Sequence, residues 1–296
     1  MPLSIDSTIK LASGHSIPQL GYGVYQARSK ECENGVKEAI KAGYRHIDSA
    51  QAYHNEDAKN TADAYLHCIV VGRAVLQTDI PRSSIFLTTK YMPSHTVHPS
   101  SSVYDILKNS LKKIDRTGSD QPYIDLMLIH APFGGEEGRK NNWEALVKAQ
   151  KEGWIRDIGV SNFGVNHLKS LPSPKPSINQ IELHPFCQQR EIVKYCEENR
   201  IAVQAYSPLI RADPKRYENP VLVGLAKKYD KEVAQVLIRW SLQKGYIPLP
   251  KSVTPSRIKS NADVYDFELT EEDMKALDGL DEGAKGACTW NPVDQP

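Results

Sequence analysis

Past Pro18 the chain alternates short apolar and β-branched runs with longer segments whose apolar residues recur at intervals of three and four. The short runs predict strands over 19–23, 45–48, 85–90, 124–130, 157–160, 178–183, 202–206 and 247–250. The longer segments predict helices over 30–42, 104–114, 142–152, 191–199, 220–229 and 231–242. Strand then helix, repeated, implies parallel pairing through crossovers. Leu126, Met127, Leu128 and Ile129 are apolar at successive positions, which suits a sheet covered on both faces. Eight such units predict an α/β fold of the (β/α)8 TIM-barrel type. The rival is an open doubly wound sheet, whose dinucleotide-binding form needs a glycine fingerprint after an early strand. Here Gly21-Tyr22-Gly23 stands alone.

Length first suggests two domains, since 296 residues is about twice the usual ~150. The continuous pattern, with no Pro/Gly/Ser-rich linker, assigns residues 1–296 to one barrel instead. Lys and Arg number 37 against 36 Asp and Glu, a net charge of +1, which argues against an electrostatic nucleic-acid binder. No apolar run approaches the ~20 residues of a membrane span, and the amino terminus lacks the pattern of a signal peptide. Cys32, Cys68, Cys187, Cys196 and Cys288 are scattered, with no close pair resembling a zinc or redox motif. A cytoplasmic, soluble, monomeric protein with reduced thiols and no metal centre is expected.

In a barrel, catalytic groups sit where strands end and βα loops begin. Asp48, Tyr53, Lys90 and His130 fall at such ends. Each has an ordinary explanation: a helix cap, a packing ring, a solvated charge, a satisfied core histidine. Their coincidence points to a site.

At these positions the chain resembles the aldo-keto reductases. The match runs through Gly43-Tyr44-Arg45-His46-Ile47-Asp48-Ser49-Ala50 with Tyr53 and Asn55-Glu56, then Thr88-Thr89-Lys90 and Leu128-Ile129-His130. It continues in order through Gly159-Val160-Ser161-Asn162-Phe163, Asn179-Gln180-Ile181-Glu182-Leu183-His184-Pro185, Ala205-Tyr206-Ser207-Pro208-Leu209 and Pro250-Lys251-Ser252-Val253-Thr254. The resemblance implies a barrel and an NADPH-dependent reduction of an aldehyde or ketone, a small-molecule carbonyl substrate. In that chemistry the nicotinamide holds the hydride while the protein supplies position and a proton.

By the same resemblance Tyr53 is the acid. A free tyrosine has a pKa near ~10, and a cation favours its phenolate. Lys90 is that cation, Asp48 orients it, and His130 hydrogen-bonds the substrate carbonyl. The resemblance also implies that Ser161, Asn162 and Gln180 bind the carboxamide and that Tyr206 stacks on the nicotinamide. Ser207, Pro208 and Leu209 would follow the pyrophosphate, with Gly23, Val24 and Tyr25 (and Asp48) near the nicotinamide ribose. Lys251, Ser252, Val253, Thr254, Arg257 and Asn261 would hold the adenosine end. A lysine and an arginine beside a helix amino terminus suit a 2'-phosphate, hence NADPH over NADH.

The chain departs from the family at Tyr25, Tyr91 and Ala131, where many members carry tryptophan or another large aromatic. The loss at Ala131 predicts a larger pocket and a bulkier carbonyl substrate. Trp290, in the tail 286–296, is a further candidate for the pocket wall. A twelve-residue insertion over 59–70 interrupts the family pattern, which resumes at Val71-Gly72-Arg73-Ala74, and reads either as a genuine element or as a gene-model artefact. Three other functions remain in view: a Tyr104-x-x-x-Lys108 pair of the short-chain dehydrogenase kind, a Schiff-base aldolase using Lys90, and a non-catalytic cofactor-binding regulatory subunit.

Overall fold

The computed structural model describes residues 2–53, 66–115 and 121–296. It begins with an antiparallel hairpin outside the expected elements, β1 (Thr8–Lys10) and β2 (Ser16–Pro18), paired Ile9 to Ile17. Gly14 closes its turn at φ +96, a left-handed conformation that glycine adopts without strain. The hairpin buries Leu11 and Ile17 against Phe86, Leu126, Leu128, Ile178, Ile247 and Leu249, a core within the strand cylinder. It plugs one end of the barrel. Its missing signal is length: three-residue strands give too few positions for an alternation to register.

The barrel then unfolds as β3 (Tyr22–Gly23), α1 (Ser29–Lys41), β4 (His46–Asp48), α2 (Leu66–Leu76), β5 (Phe86–Tyr91), α3 (Ser100–Ile114) and β6 (Ile124–Ile129). It continues with α4 (Gly135–Lys151), β7 (Ile155–Ser161), α5 (Val165–Ser170), β8 (Ile178–Glu182), α6 (Arg190–Glu198) and β9 (Ala202–Tyr206). Last come α7 (Pro214–Tyr217), α8 (Pro220–Tyr229), α9 (Val233–Gln243), β10 (Ile247–Pro248), α10 (Pro255–Ala262) and α11 (Glu271–Asp278). Strands β3 to β10 pair in chain order, every neighbour parallel. The Gly21 N–H donates to Pro248 O at 3.1 Å and the Gly23 N–H to Pro250 O at 3.0 Å, joining the first of these strands to the last. A Cβ at Gly21 would lie 2.5 Å from both His46 Nδ1 and Leu249 Cδ2, so the closure needs glycine there. The fold is the (β/α)8 barrel.

A larger apolar core fills the layer between strands and helices. On α1 it takes Cys32, Val36, Ala39 and Ile40, one stripe of the helix. Helices α2, α5, α7, α10 and α11 lie outside the expected set. Two of them begin on legible signals, Pro255 in the first turn of α10 and a Thr270/Asp273 capping box on α11. The expected insertion over 59–70 lies outside the described residues up to position 65, and 66–70 form the start of α2. Among the described residues no helix is long and apolar enough to cross a membrane.

Candidate functional site

The parallel register brings the strand ends to one rim. Asp48 ends β4 beside Thr88, Lys90 of β5 lies beside Leu128, and Ser161 of β7 beside Gln180 of β8. Lys90 is fully buried, a position an ammonium tolerates only when its donors are met. Its Nζ donates to Asp48 Oδ1 at 2.6 Å, to Ser49 O at 2.8 Å and to the Tyr53 hydroxyl at 2.8 Å. The second Asp48 oxygen accepts from Gln180 Nε2 at 2.9 Å, and the same Nε2 donates to Gln204 Oε1 at 2.9 Å. Asp48 is thereby held from both sides.

The Tyr53 ring meets His130 edge-on at 5.8 Å and Tyr25 at 5.0 Å. His130 Nδ1 is buried without a hydrogen-bond partner among the described residues. Burial, and secondarily the Lys90 charge, hold the His130 pKa well below the ordinary histidine range. Its imidazole is neutral at physiological pH and can offer a hydrogen bond without adding charge.

Asp48, Tyr53 and His130 border a cavity of about 950 Å³, near the upper end for ligand sites. From them it runs past Asn162, Gln180 and Tyr206, along Ser207, Pro208 and Leu209, to Lys251, Ser252, Arg257 and Asn261. Asn162 stands at φ +62 and donates from Nδ2 to His130 O at 3.0 Å, while its Oδ1 accepts from the Tyr206 hydroxyl at 2.8 Å. Gln180, with Nε2 committed, has an acceptor left to present. At the far end burial pushes the Lys251 ammonium down, with Glu31 opposing. A half-buried ammonium and a guanidinium in one cavity end suit a phosphate. The cavity's length and its cationic end therefore fit an elongated phosphorylated cofactor.

Among expected residues, Gly23, Tyr25 and Trp290 also line this cavity. Ser161 stands behind the wall, its hydroxyl donating to Gln180 O at 2.9 Å. Val253 is exposed outside it, and Thr254 is the N-cap residue of α10. Val24, Tyr91 and Ala131 are not cavity residues. Val24 and Tyr91 pack in the outer core, because successive strand residues face opposite ways and Lys90 points inward. Ala131 is completely buried. The wall beside His130 is instead formed by Met92 and Trp290, whose indole lies 6.5 Å from the His130 ring and 5.7 Å from Phe133. Tyr104 and Lys108 lie on α3, where Tyr104 bonds Glu152 and packs on Trp154, remote from the cavity. Lys90, fully buried with bonds to three acceptors, is poorly disposed to attack a carbonyl as an aldolase nucleophile.

Residues 19–282 match the sequence profile of the aldo/keto reductase family. The chain belongs to that family. An uncharacterized oxidoreductase of Schizosaccharomyces pombe is 42% identical over 99% of both chains. The glyoxal reductase of Bacillus subtilis is 39% identical over 95% of both. The solved structure of a Bombyx mori aldo-keto reductase in complex with NADP superposes with a TM-score of 0.81 at 32% identity, covering 96% of each chain.

Several cavity residues of this family member escaped the sequence. Gln26 and Arg211 face each other, Arg211 Nη2 donating to Gln26 Oε1 at 3.4 Å across a sequence distance of 185. Both have positive φ, as do Ile210 and Ala212 beside Arg211. Tyr217 and Thr289 also line the cavity, the first from the variable loop 211–219 and the second from the tail 286–296, segments the sequence offers as the seat of substrate specificity without naming either residue. Met92 carried the one usable signal, since it follows an inward Lys90 by two positions.

Proposed function

We propose that this protein reduces an aldehyde or ketone to an alcohol with NADPH, using Tyr53 as general acid. The observation that carries the reading is the Lys90 ammonium, bonded at once to Asp48 and to the Tyr53 hydroxyl at the edge of the cavity. Bound along that cavity, the nicotinamide supplies the hydride that reduces the carbonyl carbon. Tyr53 gives its proton to the carbonyl oxygen as negative charge develops there. Lys90 meets the charge left on the phenol oxygen, and Asp48 with Gln180 holds Lys90 in place. His130, neutral and beside Tyr53, donates to the substrate oxygen and sets its approach.

Asn162, Gln180 and Tyr206 would hold the nicotinamide, and Ser207, Pro208 and Leu209 the pyrophosphate. Lys251 and Arg257 would pair with a 2'-phosphate beside the amino terminus of α10, with Ser252 and Asn261 on the adenosine. Gln26 and Arg211 would bridge over the bound cofactor. Trp290, Met92 and Tyr25 would contact the substrate, which leaves bulky carbonyls and the dicarbonyl named in the Bacillus relative as the classes to compare. The described cavity residues belong to a single barrel, which fits the reading of one domain acting as a monomer. The thiols of Cys187, Cys196 and Cys288 are free, which supports a reducing, cytoplasmic setting.

A carbonyl panel with NADPH and NADH, read by loss of reduced-cofactor absorbance in wild type and Tyr53→Phe, tests the reading. Turnover by wild type alone supports it, and equal turnover by both proteins refutes it.

A further inference from the structure

β8 ends at Glu182, and the chain turns at once through His184, whose backbone N–H donates to Cys187 O at 3.2 Å. The C-terminal segment comes back to this turn. The Cys288 N–H donates to Glu182 Oε1 at 2.5 Å, the Thr289 N–H donates to Oε2 at 3.1 Å, and the Thr289 hydroxyl donates to Oε2 as well. His184 Nε2 lies 3.0 Å from Glu182 Oε1 and 3.8 Å from Cys288 Sγ. One ligand atom from each of Glu182, His184 and Cys288 lies within 4.8 Å of the others.

A tetrahedral zinc ion holds nitrogen and oxygen at ~2.0 Å and sulfur at ~2.3 Å, which sets its ligand atoms roughly 3.2 to 3.6 Å apart. The triad already stands near that spacing. Imidazole, thiolate and carboxylate together suit zinc or cobalt and suit magnesium or calcium poorly. Glu182 and His184 are buried while Cys288 is partly exposed, so an ion has a route from solvent.

We propose that Glu182, His184 and Cys288 form a binding site for one zinc-class divalent ion, with water in the fourth position, which staples the C-terminal segment to the end of β8. On binding, the Cys288 thiol proton passes to solvent, and the ring proton that His184 Nε2 donates to Glu182 is given up to solvent while Nδ1 takes one up, so that Nε2 is free to hold the ion. Nδ1 is buried without a partner among the described residues, so the affinity falls short of a dedicated structural zinc centre. Glu182 turns Oε1 to the ion and keeps Thr289 on Oε2. Trp290 follows Cys288 by two positions, and its carbonyl accepts from the Tyr206 hydroxyl at 3.3 Å. The ion therefore fixes a wall of the reaction cavity without touching the reacting atoms.

The site goes beyond the reductase reading and is tested without turnover. Full-length protein is titrated with Co2+ by visible absorption and with Zn2+ by calorimetry, and amide exchange over 288–296 is followed with and without Zn2+. The expected result is one equivalent bound, a thiolate-to-cobalt absorption, and slower exchange in the tail. Cys288→Ser should abolish that absorption and weaken binding by more than the roughly 10- to 100-fold that loss of an outer-shell partner costs, with His184→Gln weakening it similarly. Binding and absorption retained in Cys288→Ser, no binding at micromolar Zn2+, or tail exchange unchanged by bound Zn2+ would each overturn the proposal. Because Cys288 is partly exposed, its serine variant is expected to fold, and a wild-type circular dichroism spectrum checks that.

Discussion

The Lys90 ammonium lies 2.8 Å from the Tyr53 hydroxyl oxygen, although the two residues stand 37 positions apart, one within β5 and the other in the loop after β4. One is fully buried and the other borders the cavity. The contact places a fixed positive charge behind the group that faces the ligand space, so the proton transfer proposed for Tyr53 would leave its charge already matched.

Tyr53→Phe removes only the hydroxyl. Turnover with any carbonyl should fall by about 10²- to 10⁴-fold, while the NADPH dissociation constant from fluorescence titration stays within a few-fold. A proportional loss of binding and turnover would assign Tyr53 to cofactor binding instead.

Lys90→Met should be costly in a second way. It strands the Asp48 carboxylate, which is 3% exposed, without its cation. Breaking a buried pair in this manner costs about 3–5 kcal/mol, to be read from urea midpoints. Adding Asp48→Asn should recover part of that stability and none of the activity.

Two histidines make stability fall in acid. Burial, then Lys90, lowers the His46 pKa to about 3, and the same causes lower His130. In the unfolded chain each takes up a proton as pH drops through ~6.5, whereas the native rings stay neutral. Below that pH the unfolded state binds more protons, so stability declines as pH falls toward the native value. For fully buried His46 the decline is about 1.4 kcal/mol per pH unit. Denaturation midpoints between pH 7 and pH 5 measure it, and the His46 and His130 ring resonances should not shift in that window.

At the cationic end of the cavity, Lys251→Ala and Arg257→Ala should each raise the KM for NADPH by about 10- to 100-fold, the worth of a charge-assisted hydrogen bond. The KM for NADH should change little. Equal losses with both cofactors would place these residues elsewhere on the ligand.

Substrate size selection should follow Trp290 and not Ala131. Trp290→Ala is expected to raise the KM for aromatic carbonyls with little effect on stability, because the indole is 46% exposed. Ala131→Trp forces an indole into a fully buried position, so its main effect should be lost stability of about 1–3 kcal/mol or more. A thermal melt beside a substrate panel separates the two effects.

The strand runs were legible because parallel barrel strands are buried on both faces, which leaves unbroken apolar stretches such as 126–129. The Asp48, Tyr53, Lys90 and His130 set was legible for a related reason: chemistry in this fold collects at strand ends, so locating the strands located the candidates. The missed hairpin and helices α2, α5, α7, α10 and α11 have short or weakly patterned sequences whose burial depends on neighbours distant in the chain. The Tyr91 wall failed on a one-residue matter of facing, settled by Lys90 turning inward.

What the sequence determined by itself was the class of fold and the family, and it singled out the residues proposed as the acid, its cation and the basic contacts at the cofactor's far end. All of these depend on residue type and local order. Tertiary structure alone decided which side chains share a surface: Gln26 with Arg211, Gln180 with Asp48, and Glu182 with Cys288 across 106 positions. Those meetings depend on barrel closure and on the return of the tail. Both are set by packing between distant segments, and no local pattern records them.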